Sequence, residues 1–373
     1  MRVVVAPDKF KGSLEARAVA DAIAAGVRRR FPDASLVCIP VADGGEGTVD
    51  TLVSAIGGRN AEVEVHGPVG FPVRASIGWL SDGRAVVEVS SAVGLGLIER
   101  PDPLGASSRG CGELIARILE ERAGAAVVIG VGGSASTDGG TGAATAVGWR
   151  FLDRHGRELA PGGGGLSRLA TIDSTHVDGA IKQARILGAV DVNNPLVGPR
   201  GSARVFAPQK GASKGDVAVL EEGLGVLAER IRADIGIDVS TTPGGGGAGG
   251  IGAGLVAFFG AELRPGFDVV AGATRLADAI READLVITGE GKLDQGSLGG
   301  KAPAGVARLA ADAGVPCIAV VGESTLGDHE LTEAGILRAV ALRDRFGSRE
   351  AFSRTAELVA ETTAEALTST EFI

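Results

Sequence analysis

Leu285-Val286-Ile287-Thr288-Gly289-Glu290-Gly291-Lys292-Leu293-Asp294-Gln295-Gly296-Ser297-Leu298-Gly299-Gly300-Lys301-Ala302-Pro303 reads as a short apolar strand that empties into a glycine-rich, charged loop and then into a helix entered through proline. A brief apolar run bounded by glycine, with proline opening the next helical pattern, is the mark of a buried strand and its crossover helix. Two other stretches have the same form. Arg2 to Ala6 is a β-branched run followed by the turn Pro7 to Ser13 and by helical apolar spacing from Leu14 to Arg30. Ser35 to Val41 is a second such run, followed by Ala42-Asp43-Gly44-Gly45-Glu46-Gly47-Thr48 and a helix through Ile56. Repeated strand–loop–helix units predict an α/β fold with a parallel, doubly wound sheet.

The middle of the chain has another texture. Ala61 to Val65 and Arg74 to Leu80 alternate apolar and polar residues and Ala85 to Val89 continues the series, which predicts an antiparallel portion. A helix at Arg109 to Arg122 then leads into a strand at Ala126 to Val131, the loop Gly132 to Gly140 and a helix of small residues. A strand at Arg185 to Val190 ends in Asp191-Val192-Asn193-Asn194-Pro195, and Asp216 to Asp234 is helical. The simple alternation resumes with a helix at Thr274 to Glu282, strands at Asp284 to Thr288, Pro316 to Val321 and Leu337 to Leu342, and a closing helix. At 373 residues the chain exceeds one ordinary core. Residues 1–58 and 272–373 are expected to form one discontinuous sheet domain and residues 59–271 an inserted second α/β domain, with the active site in the cleft between them.

Composition narrows the function. A net charge of −9, with no long basic or aromatic-studded stretch, disfavours nucleic acid as the main partner. Cys38, Cys111 and Cys317 are odd in number and widely spaced, which fits buried thiols in a reducing compartment and no zinc or disulfide framework. The first residues turn polar before a secretory segment forms and no apolar run reaches spanning length, so the expectation is a soluble, cytoplasmic protein with no membrane partner.

The lysines carry the chemical signal. Only seven of 37 basic residues are lysine, and Lys9, Lys11, Lys210, Lys214, Lys292 and Lys301 lie in or beside glycine-rich turns. A compact ammonium beside bare backbone N–H groups suits phosphate. In an open parallel sheet, ligands bind at the carboxyl ends of the strands, so the loops after Ala6, Val41 and Ile287 would bring Asp8, Lys9, Lys11, Asp43, Glu46, Glu290, Lys292, Asp294 and Lys301 to one rim. Solvated loop charges and helix caps are the bland alternative. Three acid-plus-lysine loops at three strand ends count against it.

Neither common nucleotide motif is present. Gly296 precedes Gly300-Lys301 one position too closely for a P-loop, and Ala302 stands where Ser or Thr would hold magnesium. Gly247, Gly249 and Gly252 match the dinucleotide spacing, but no strand delivers them, so they read as helix entry. His66, His155, His176 and His329 lie outside the glycine loops, and Ser134 and Ser136 have no histidine partner by any motif, which disfavours a serine hydrolase. The hydroxyls and N–H groups around Asp138 suit a phosphate or carboxylate instead.

With these blocks assembled, the chain resembles the bacterial glycerate kinase family of type I from end to end. The resemblance rests on Ala6 to Ser13, Ala42 to Thr48, Gly132 to Ala135 with Asp138 to Gly140, Asp191-Val192 with Asn194 to Leu196, Pro208 to Ala212, and Gly289 to Gly291 with Asp294, Ser297 and Gly300-Lys301. Two departures stand out: Thr137 where family members usually carry Asn, and Gln295-Gly296 where they carry a Ser-Gln pair. The resemblance implies a two-domain α/β fold with a flavodoxin-like part, and ATP-dependent phosphorylation of D-glycerate to 2-phosphoglycerate and ADP.

Phosphoryl transfer needs phosphates held by N–H groups and cations, magnesium held by carboxylates, and a base at the attacking hydroxyl. The expected ATP contacts are Lys9, Lys11, Gly289, Gly291, Lys292, Ser297, Gly300 and Ser134. Lys301 is expected to steady transition-state charge. Asp43, Glu46 and Glu290 are the expected Mg2+ ligands, and Asp294, then Asp191, the expected base. Arg109, Lys210 and the 134–136 loop remain open as partners of the substrate carboxylate, and the oligomeric state, a homo-oligomer included, is open too. The rival from another class is a sensor that closes on a sugar acid without chemistry. A kinase or lyase acting on a different short hydroxy acid is the enzymatic rival.

Overall fold

The computed structural model describes residues 1–299 and 301–368. The chain divides into two compact units: Met1–Asp43, Ser54–Ile56 and the chain from Phe267 onward make the first, and Gly44–Val53 with Gly57–Gly266 the second. Each is described separately.

The first unit is a five-stranded parallel sheet in the spatial order Arg338–Ala341, Cys317–Val321, Leu285–Gly289, Arg2–Pro7, Ser35–Cys38. Counted along the unit's own strands this is 2-1-3-4-5, the flavodoxin-like order. Both faces are covered, so the strands are continuous apolar runs rather than alternating ones. Val4, Ala6, Val286 and Ala319 enter one core with Val306, Ala307 and Ala310 of the helix Ala302–Asp312. Their neighbours Val3, Val5, Ile287 and Ile318 enter the other, against Val19, Ile23 and Val27 of Ala16–Arg30 and Leu358 and Val359 of Thr355–Ala366. The two-residue period of a strand thus deals side chains into two separate cores.

The second unit holds a six-stranded sheet in the order Glu262–Pro265, Arg185–Val190, Ala126–Val131, Ala85–Glu88, Pro72–Leu80, Gly58–His66. The first four are mutually parallel, and the last two join antiparallel. The alternation read in residues 61–80 has its cause here, since Gly58–His66 is an edge strand with mostly exposed positions.

Several boundaries differ from the sequence reading. The second strand stops at Cys38, although Ile39 N and Val41 N still donate to Val5 O and Pro7 O; Pro40 between them sits on the open edge of the sheet, where no N–H is needed. The closing helix is two helices, Leu342–Ser353 and Thr355–Ala366. The helix expected at Thr274 to Glu282 is shortened to Leu276–Arg281, and a separate helix, Gly266–Ala273, precedes it. The strand Glu262–Pro265 has no buried position and so no apolar signature to read. Gly247, Gly249 and Gly252 do belong to a helix entry, that of Gly247–Phe259. Cys111 and Cys317 are buried, Cys38 is partly so, and all three are free thiols.

Candidate active site

The strand order of the first unit reverses between Arg2–Pro7 and Leu285–Gly289, whose register sets Pro7 opposite Gly289. Beyond their carboxyl ends lies the switch point of the sheet, the usual ligand crevice of such folds. Asp8 N donates to Gly289 O at 2.8 Å, locking the two loops together. Gly289 is required there: a Cβ would lie 2.2 Å from Val320 O on the next strand. At Gly291 a Cβ would lie 3.2 Å from Lys11 N, so both glycines serve close backbone approach.

Three carboxylates share the electrostatic field of this rim. Burial first, then the negative charges of Asp43 and Glu290, push Asp8 up to about 7, against a lowering by the Lys9 N–H, which donates to Asp8 Oδ1 at 2.6 Å. Burial likewise pushes Glu290 up to about 7, with Asp294 and Asp43 adding to it and Ser297 and Lys301 opposing. Glu290 Oε1 is buried without a hydrogen-bond partner among the described residues. An orphaned carboxylate oxygen among like charges is a position that a hard, oxygen-seeking divalent cation would satisfy, and the residues present fit magnesium in that sense. Among the described residues no set of three or more His, Cys, Asp or Glu side chains is already gathered tightly enough to hold an ion.

The remaining expected residues fall as follows. Lys301 is the residue preceding the helix Ala302–Asp312, with Pro303 in its first turn. Ser297 is buried and accepts from Asp294 N at 3.1 Å. Lys292 and Asp294 form an ion pair at 3.2 Å, and that lysine, with Gly296 N at 2.9 Å, holds Asp294 below the usual carboxylate range. Gln295, the departure from the family pattern, bonds Glu330, and Gly296 supplies the N–H that caps Asp294. Lys11 is exposed in the turn closed by Phe10 N to Leu14 O. Gly300 lies outside the described residues.

Glu46, Ser134 and Asp191 belong to the second unit. Glu46 and Asp191 are exposed. Ser134 is 2 % exposed, and its hydroxyl donates to Ala248 O at 2.7 Å while accepting from Lys210 Nζ at 3.0 Å. Lys210, itself 2 % exposed, also donates to Ser136 O at 2.5 Å, so its ammonium is committed to the serine loop. The N–H groups around Asp138 hold no ligand: Ser108 N, Gly140 N and Gly142 N all donate to the Asp138 carboxylate, as does Ser108 Oγ. The loop that the sequence offers as an anion cradle is filled by the protein's own buried acid. Arg109 pairs with Glu113 at 2.9 Å. Sequence reasoning had no signal for Glu88, a buried carboxylate at the end of Ala85–Glu88 that accepts from Val49 N at 2.7 Å.

A doubly wound sheet whose switch point gathers carboxylates, lysines and glycine turns defines an α/β enzyme suited to anionic substrates. The chain belongs to the glycerate kinase family, whose family model matches residues 3–371, and it is a kinase. It is 46% identical to the glycerate 2-kinase of Escherichia coli over 328 residues, covering 87% of this chain and 86% of that one. It is 44% identical to the glycerate kinase of Halalkalibacterium halodurans over 349 residues, covering 93% and 92%. A crystal structure of a protein assigned as glycerate kinase 2 from Salmonella typhimurium superposes with a TM-score of 0.86 at 40% identity, covering 98% of this chain and 97% of that one.

Proposed function

We propose that this kinase transfers the γ-phosphoryl group of ATP to the 2-hydroxyl of D-glycerate, forming 2-phosphoglycerate and ADP. The observation that carries the reading is the rim of Asp8, Asp43 and Glu290 with the unpartnered Glu290 Oε1, set among Lys9 and Lys301, with the Lys11 backbone close to Gly291. The likeness to the glycerate 2-kinase of Escherichia coli supports the 2-hydroxyl.

In this reading the three lysines neutralise the triphosphate, and the first turn of Ala302–Asp312 adds the positive end of its dipole. Asp43 and Glu290, with Asp8 beside them, would hold Mg2+. When bound, the ion would supply positive charge against the negative charge of the phosphates. The glycerate hydroxyl oxygen forms the new bond to γ-phosphorus as the bond to the ADP oxygen breaks, and the hydroxyl proton passes to Asp294. Lys292 holds Asp294 ionised, so the carboxylate orients the hydroxyl and takes the proton only late, once the forming bond to phosphorus has made that hydroxyl acidic.

The test is phosphorus NMR of the product made from ATP, magnesium and D-glycerate, with Asp294→Asn alongside. A 2-phosphoglycerate resonance from the wild type is expected, with turnover of the variant down roughly 10²-fold or more. A 3-phosphoglycerate resonance would refute the regiochemistry, and near-normal turnover of the variant would refute the base.

A further inference from the structure

The lysines and carboxylates of the rim account for phosphates and metal but give the base of the nucleotide no seat. A slot of about 150 Å³ opens beside them in the first unit, lined by Phe10, Ala351 and Phe352 and by the polar Lys11, Ser13 and Ser348, with Glu323 and Arg343 as a charged pair. Its walls come from segments that follow four strands of the five-stranded sheet. Phe10 and Lys11 follow Arg2–Pro7, Gly291 follows Leu285–Gly289, Gly322 follows Cys317–Val321, and Arg343 follows Arg338–Ala341. The slot therefore lies along the same carboxyl edge as the switch point.

Its chemistry is that of a flat heteroaromatic ring. Phe10 is buried at 3 % exposure, whereas Phe352 is 61 % exposed, a large aromatic face left to solvent on the helix Leu342–Ser353. The wall is held in place: Arg343 N donates to Gly322 O at 2.9 Å, and its guanidinium pairs with Glu323. Gly12, at φ +77°, brings the 10–13 turn against the Phe352 ring. A small polyhydroxylated acid has no π-face to offer Phe352 and would lose hydration against Phe10 and Phe352. A nucleobase offers a π-face to stack on an aromatic side chain.

We propose that this slot seats the nucleobase of the phosphoryl donor, with Phe352 as its stacking face and Lys11 at the junction with the phosphates. The inference rests on the kinase reading above. It is tested with Phe352→Ala, an exposed position whose truncation spares the core, by titrating wild type and variant with the non-hydrolysable analogue AMP-PNP and with inorganic tripolyphosphate, which lacks the base. Weakening of AMP-PNP by roughly tenfold, with tripolyphosphate unchanged, is expected. In steady state the KM for ATP should rise similarly while kcat and the KM for glycerate stay within about twofold. Unchanged AMP-PNP affinity, or equal weakening of both ligands, would overturn the nucleobase site. A wild type that shows the selective AMP-PNP loss on substitution but no glycerate-dependent turnover would keep the nucleobase site and refute the glycerate reading.

Discussion

Lys210 shows how far one residue's role can lie from its sequence context. It sits beside glycine like the other loop lysines, yet burial, only partly offset by the charge of Asp138, pushes it down to about 7. The folded state thus binds the lysine's proton more weakly than the unfolded chain does, so between about pH 7 and the ordinary lysine value of 10.5 the unfolded state holds more of it. The penalty of burying the charge is fully present below pH 7 and is relieved as pH rises toward 10.5. Lys210→Met should remove that dependence. The stability difference, wild type minus variant, should grow between pH 7 and pH 9 in urea titrations, by at most about 1.4 kcal/mol per pH unit. A difference that stays flat would place a charged lysine in the fold at both pH values. The acids differ in the same way: Asp294 is held ionised by its lysine, while burial raises both Asp8, with Asp43 and Glu290 adding to it, and Glu290, with Asp294 and Asp43 adding to it. Three aspartate- and glutamate-bearing loops look alike in sequence, and their neighbours make them unlike.

At the level of elements, glycine has two distinct meanings here. In the entry to Gly247–Phe259, Ala248, Gly249 and Gly250 are all left-handed, with φ of 53°, 75° and 89°. A Cβ on Gly249 would stand 1.9 Å from Ser136 O and 2.8 Å from Lys210 Nζ. Gly249→Ala is expected to destabilise the protein by more than about 3 kcal/mol, since strain in φ and a backbone clash act together. Gly225, in the middle of Lys214–Asp234, meets nothing within 4 Å, and Gly225→Ala should stabilise by roughly 0.5–1 kcal/mol through helix propensity. Urea midpoints of the pair check both signs. Equal effects would mean that the left-handed entry is not a constraint. The spacing of Gly247, Gly249 and Gly252 marks this entry in the sequence. Its purpose, close packing of the serine loop over a buried lysine, is set by Ser136, more than a hundred positions away, and by Lys210 on another element, and has no local trace.

For the whole molecule, the carboxylate rim predicts that nucleotide and metal stabilise together. AMP-PNP at a hundredfold excess over its Kd should add about 2.7 kcal/mol, seen as a rising melting temperature. Chelating Mg2+ should abolish most of that rise, because the rim then faces the triphosphate with its own negative charge. Equal shifts with and without chelator would remove the metal from the proposed site.

The fold was largely legible because its signals are local. Apolar runs such as Val3 to Ala6 and Leu285 to Thr288, closed by glycine turns and followed by helical spacing, determine parallel strands and crossover helices from a few neighbouring residues each. Alternation in residues 61–80 determines an exposed antiparallel edge. The lysine and acid loops at the strand ends likewise carry the signal of a charged rim in short stretches of sequence. Tertiary structure alone decided which of those charges share a field, that Asp138 fills the cradle its own loop offers, that Lys210 is buried, and that the exposed Phe352 lines one slot with Phe10 and Lys11. Burial, desolvation and close approach sum over groups remote in sequence, and no window of neighbouring residues contains that sum.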